Sequence, residues 1–182
     1  MNRSPARYGA TAMVSHWLLA LLIVGNFAFG LYFIELPFSP QKLRYFAWHK
    51  WAGVIVVPLA AAFLSIRLAR GAIPLPGHMP AWERRASDWT HILLYVSYFA
   101  SPISGWLYSS ATGFQTVLFG VLPLPDLLSK SRELAEPLKA AHRWINYALA
   151  AAVALHVAAA LKHHLVDGDD VLTRMLPFLK PR

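Results

Sequence analysis

The chain has 182 residues, 57% of them hydrophobic and 14% charged, with a mean hydropathy of +0.42, which excludes an ordinary soluble domain and marks a membrane protein. Cysteine is absent, which excludes a disulfide framework, a thiolate metal site, an iron–sulfur cluster and a covalently attached c-type haem, and leaves histidine as the soft-metal ligand. The formal net charge of +8 sits at the ends of apolar segments rather than along one polar face, which speaks for membrane loops and against nucleic acid.

The first apolar window runs from Tyr8 to Ile34, between Arg7 and Glu35. It is too long for a signal peptide and "GNFAFG" is a poor cleavage site, so an uncleaved helix is expected over about 10–34. The second window, Trp51 to Ile66 between Lys50 and Arg67, predicts a helix over about 46–69. The third, Trp89 to Pro125 between Asp88 and Asp126, is too long for one span; Gly113 and "VLPLP" at 121–125 predict a helix over about 88–110 and then a partly apolar outer loop. The fourth, Trp144 to Leu161 between Arg143 and Lys162, predicts a helix over about 138–164. The shorter windows reach the roughly 20 residues a span needs because their flanking Lys and Arg side chains can snorkel.

Helices are favoured over a barrel because the segments are apolar throughout instead of alternating, and a helix satisfies its own backbone in lipid. Trp17, Trp48, Trp51, Trp82, Trp89 and Trp144 lie near the charged edges as an aromatic belt. No repeat or low-complexity segment divides the chain, so 1–182 is read as a single integral membrane domain, a bundle of four transmembrane helices. Arg3, Arg7, Arg67, Arg70, Arg84, Arg85, Lys162, Arg174, Lys180 and Arg182 fall on the side of the termini. They outnumber Lys42, Arg44, Lys50, Lys130, Arg132, Lys139 and Arg143 on the other, so both termini are expected in the cytoplasm.

Ionisable residues inside spans are costly and point to function. His142 and His156 lie fourteen residues apart in the fourth window, within roughly 40° of one another on one helix face and about 21 Å apart along the axis. Depth relative to the flanking charges supplies their partners. His49 and His142 directly precede Lys50 and Arg143 and match in the outer half; His16 is the deeper inner residue and pairs with His156, leaving His91, only three residues after Asp88, without a partner. A single buried histidine is accounted for by an interhelical hydrogen bond, but four at matched depths suit two b-type haems, each held on both faces by imidazole and closed to oxygen. Gly25, Gly30, Gly53 and Gly105 are candidates for close approach to a flat macrocycle, with helix packing as the plainer role. Lys50 and Arg143 outside, and Arg67 or Arg70 inside, are candidate propionate or anion contacts, or simply end charges. His163 and His164 follow Lys162 and read as a solvated helix end, and His78 in "PLPGHMP" as a loop residue.

The segments "SHW" (15–17), "HKWAG" (49–53), "THILLY" (90–95), "AAHRWINYALAAAVALHVAAALKHH" (140–164) and "DDVLTRMLP" (169–177) resemble the bacterial cytochrome b561 family over nearly the whole chain. The resemblance implies a multi-pass cytochrome of the bacterial inner membrane with His16 and His156 on an inner haem b and His49 and His142 on an outer one. It also implies a superoxide:ubiquinone oxidoreductase, with superoxide oxidised at the periplasmic side, ubiquinone reduced, and His91 and His163 in the quinone region; no catalytic residue is assigned. Two other classes compete. One is a cytochrome b subunit relaying electrons between a dehydrogenase or hydrogenase partner protein and quinone. The other is a histidine-lined metal transporter, disfavoured because the spans hold no acidic or thiol relay groups.

Overall fold

The computed structural model describes residues 7–176 and 178–179; Arg3, Lys180 and Arg182, which enter the orientation count, lie outside them. Four long helices account for most of the chain: α1 (Ala10–Ile34), α2 (Pro40–Arg70), α3 (Ala81–Thr112) and α4 (Arg132–Leu165). The last three begin six or seven residues before their expected starts, and local chemistry accounts for it. Ser39 accepts a hydrogen bond from the Lys42 N–H and precedes Pro40 at the first helical position, and Ser131 accepts from the Leu134 N–H with Glu133 in the first turn. Pro80 is the N-cap residue of α3 and makes no side-chain cap, with Glu83 in the first turn. Gly71 (φ 73°) and Gly113 (φ 76°) stop α2 and α3 in the left-handed region, where a side chain would be strained.

The expected outer loop carries a two-residue antiparallel hairpin, β1 (Val117–Leu118) with β2 (Leu122–Pro123). At the far end, a 3-10 turn at Leu172–Arg174 tucks the tail beneath the bundle, where the Trp17 indole donates to the Met175 carbonyl (2.8 Å).

Among the described residues α1, α2 and α4 are long and apolar enough to cross a membrane. Their lipid-type surface is plain: Leu21, Leu18, Val14 and Trp144 are exposed side chains on helices with little polar cover. The third helix spans 32 residues but holds no stretch apolar enough to join them. Its polarity faces inward, since Ser97, Ser104, Ser109 and Ser110 are buried while Trp89, Ile92, Leu93, Val96 and Ile103 are exposed.

Close packing follows chain order, α1 on α2, α2 on α3 and α3 on α4. Two apolar clusters at mid-height hold these pairs: Leu19, Val56, Ala60 and Phe63, and Leu94, Leu149 and Ala152. Tyr98 and Ile23 contact both, making one continuous core. By contrast α4 meets α1 and α2 mainly through side-chain rings, His16 with His156, Phe27 with Tyr147 and His49 with His142.

Candidate metal centres and the family of the chain

The core separates two layers of histidine. In the outer layer the His49 and His142 rings have centroids 6.2 Å apart and planes inclined at 82°. In the inner layer His16 and His156 are again 6.2 Å apart, inclined at 57°. Two imidazoles bound to opposite faces of one metal, at a metal–nitrogen distance of about 2 Å, would stand with centroids about 6 Å apart. Rotation about the shared axis is free in such an arrangement, so both plane angles are compatible with it.

His142 is held in the tautomer a metal needs. Its Nδ1 lies 3.1 Å from the Ser101 carbonyl and 3.0 Å from Ser104 Oγ, and the Ser104 hydroxyl donates its proton to that carbonyl at 2.8 Å. With both oxygens as acceptors the proton belongs on Nδ1, which leaves the Nε2 lone pair beside the Asn146 amide nitrogen at 3.4 Å. Asn146, one turn on, donates to the His142 carbonyl (2.7 Å) and accepts from the Ser101 hydroxyl (2.8 Å), locking α4 to α3 at this level. Neither Ser104 nor Asn146 is distinguishable from an ordinary polar residue in the sequence. Across the gap, His49 Nδ1 is buried with no hydrogen-bond partner among the described residues, and Asn26 donates to the His49 carbonyl (3.2 Å).

Two of the four candidate glycines touch this layer. A Cβ at Gly30 would lie 3.2 Å from His49 Cε1, and one at Gly105 would lie 2.9 Å from His142 Cε1. Nothing lies within 4 Å of such an atom at Gly25, and Gly53 meets only Pro102 at 4.0 Å. Gly30 and Gly105 thus make room for the imidazoles.

In the inner layer His91 is not left over. Its ring stands 5.3 Å from His156, nearer than His16 does, and its Nδ1 donates to the Ser87 carbonyl (2.7 Å). Asp88 does not mark the start of α3, which begins at Ala81, so His91 lies ten residues into the helix and deeper than its spacing from Asp88 suggests. Phe63 packs on His16 with centroids 5.9 Å apart and also lines a cleft of about 220 Å³ with Arg7, Arg67 and Arg70. The guanidinium of Arg67 donates to the Gly71 carbonyl (2.6 Å) and stands over the Tyr8 ring at 5.4 Å.

The outer cations are more occupied than end charges need be. The Lys50 ammonium donates to the Phe114 and Gln115 carbonyls (3.0 and 3.2 Å) and to Ser109 Oγ (3.2 Å), closing the end of α3. Lys42 donates to the Ile34 and Leu36 carbonyls (2.7 and 2.5 Å), and Arg44 and Arg143 are exposed. At the opposite end His163 is buried rather than solvated, with Asp169 Oδ2 2.8 Å from its Nδ1, and His164 Nδ1 is buried without a partner among the described residues. His78 is an exposed loop residue.

Imidazole donors in facing pairs 6.2 Å apart, no thiolates, glycines against two of the rings and arginines at the inner rim form a setting suited to b-type haem. The comparisons with known proteins agree with that chemistry. Residues 7–178 match the family model described as prokaryotic cytochrome b561. The chain is 34% identical over 186 residues to cytochrome b561 homolog 2 of Escherichia coli (strain K12), covering 96% of this chain and 94% of that protein. It is 28% identical over 187 residues to cytochrome b561 homolog 1 of the same organism, covering 94% and 97%. It is 27% identical over 181 residues, 94% and 96%, to a protein of Yersinia pestis named probable superoxide oxidase CybB. With the whole described bundle inside the matched region, the chain belongs to the prokaryotic cytochrome b561 family, membrane-integral b-type cytochromes of electron transfer.

Proposed function

We propose that this protein takes electrons one at a time from superoxide at the outer face of the bacterial inner membrane and passes them through two bis-histidine b haems to ubiquinone. The observation that carries the reading is the repeated 6.2 Å ring separation, His49 with His142 and His16 with His156, at two depths on one face of α4. Bis-histidine haem supplies one-electron transfer without an open coordination position.

In this reading residues 1–182 are one domain with four spans and both termini in the cytoplasm. The lower apolarity of α3 is consistent with a span, because its buried serines face neighbouring helices and its exposed side is apolar. At 1.5 Å per residue it is also about 48 Å long, more than a bilayer core requires.

The exposed Arg44 and Arg143 near the outer histidines favour approach of a small anion, an attraction that salt weakens. Lys50 acts mainly by holding the loop after α3 closed over the same end. The name of the Yersinia pestis relative supports superoxide as donor. Ubiquinone is placed at the inner end, in the region of His91 and His163. Purified protein with ubiquinone should consume superoxide much faster than the same protein freed of haem; equal rates would contradict the reading.

A further inference from the structure

The inner end of α4 carries a side-chain arrangement that the histidine pairs do not use. His163 is 7% exposed, and its Nδ1 faces two carboxylates, Asp169 Oδ2 at 2.8 Å and Asp167 Oδ2 at 3.1 Å. The turn through Gly168 (φ 68°) brings this acidic stretch back onto the helix. The two carboxylates differ in their other partners. Asp167 is paired with Lys162 at 3.0 Å, and that lysine also holds Glu83 of α3 at 2.7 Å. Asp169 has ion-pair contacts only with histidines among the described residues, His163 and, at 3.7 Å, the exposed His78.

Asp169 is also fixed as a catalytic support would be. Its backbone N–H donates to the His163 carbonyl (3.0 Å), its Oδ1 accepts from the Val171 N–H (3.0 Å), and its Oδ2 accepts from His163 Nδ1. A carboxylate on one ring nitrogen sets the tautomer, fixes the ring, and offsets the positive charge present while both nitrogens carry protons. Nε2 of His163 has no hydrogen-bond partner among the described residues and is the atom left to exchange a proton.

We propose that Asp169 and His163 form a proton-delivering dyad for the quinone, with His163 Nε2 as the donor and Asp169 as its positioning residue. The inference rests on the reading that ubiquinone is reduced beside His163. A quinone that accepts two electrons from the b haems takes up two protons. At one oxygen the Nε2–H bond of His163 breaks as an O–H bond forms, and the other oxygen takes its proton from water. The imidazole then regains a proton from solvent on the side marked by His78, whose side chain is 63% exposed. Glu83 from α3, Lys162 from α4, Asp167, Asp169 and His78 are the charged and titratable groups around the imidazole.

The test uses the full-chain protein with its haems, pre-reduced and mixed with a short-chain ubiquinone, following haem reoxidation against pH and in heavy water, with a pH-indicator dye reporting proton uptake. In Asp169→Asn the maximal rate should fall on the order of 10²-fold at an unchanged half-saturating quinone concentration, with an altered pH profile and a larger solvent isotope effect. Asp169→Glu should recover part of the rate. Wild-type rate and pH profile in Asp169→Asn would overturn the dyad, as would a loss equal at every pH with weakened quinone saturation. His163→Gln separates the two levels. If it reoxidises like wild type, the quinone placement itself fails; if it is slow while Asp169→Asn is normal, only the dyad fails.

Discussion

The His142 imidazole stands 6.2 Å from that of His49 across a gap that helix packing does not close. His142 is braced from behind by Ser101 and Ser104 of α3, whereas His49 Nδ1 has no partner among the described residues. One ring is therefore fixed by hydrogen bonds, the other by packing against Phe33 and Gly30. The inner layer repeats the distance, and His156 is shared there between His16 and His91.

Removing one inner ligand should empty one layer only. In His156→Ala the purified protein should hold one b haem instead of two, with the outer pair's optical signature retained, as read by haem assay and reduced-minus-oxidised spectra. Retention of two haems would show that His156 is not a ligand.

The bracing of His142 has its own test. Ser104→Ala removes one acceptor from Nδ1, and loss of such a partner typically weakens metal affinity by about 10- to 100-fold. Haem should leave the outer layer roughly 10-fold faster in a transfer assay to a haem-free acceptor protein, with inner haem loss unchanged. Equal loss from both layers would count against a specific role for Ser104.

Gly105 is predicted to be replaceable only at the expense of His142. A methyl group there would meet the ring at 2.9 Å, so Gly105→Ala should displace the imidazole and lower outer-haem occupancy. Gly25→Ala, where the space is open, serves as the control and should retain both haems. Equal occupancy in the two variants would refute the close-approach argument.

The sequence carried the layered plan but not its supports. The fourteen-residue spacing of His142 and His156 is a helical repeat; depth counted from Lys50 and Arg143 pairs His142 with His49, the ring that faces it, and depth counted from Arg7 and Lys162 pairs His156 with His16, which stands 6.2 Å away although His91 is nearer. Helix starts were harder, because hydropathy marks where side chains enter lipid whereas Ser39, Pro80 and Ser131 mark where the backbone begins to coil. His91 lies deeper than its distance from Asp88 suggests because α3 starts at Ala81, seven residues before that charge. The carboxylates at His163 stand four and six residues on, brought back by the turn at Gly168, and no periodic pattern announces such a reversal.

Acid should loosen the tail. The Lys162 hydrogen bond holds the Asp167 carboxyl below its ordinary value, with the neighbouring His163 and His78 acting in the same direction. A carboxylate depressed in the folded state contributes stability that is present above its unfolded value and lost as pH falls through the folded one. Limited proteolysis of the segment after Val166 should therefore speed up on the acid side of the carboxylate range, and Asp167→Asn should flatten that dependence. Unchanged pH dependence in the variant would exclude Asp167 as its source.

The most direct test of the account is a haem count on the purified protein joined to stopped-flow mixing with superoxide, with and without ubiquinone. Two b haems per chain, rapid haem reduction by superoxide that salt slows, and sustained turnover only when ubiquinone is present are expected. One haem per chain, or two haems that superoxide does not reduce, would contradict it.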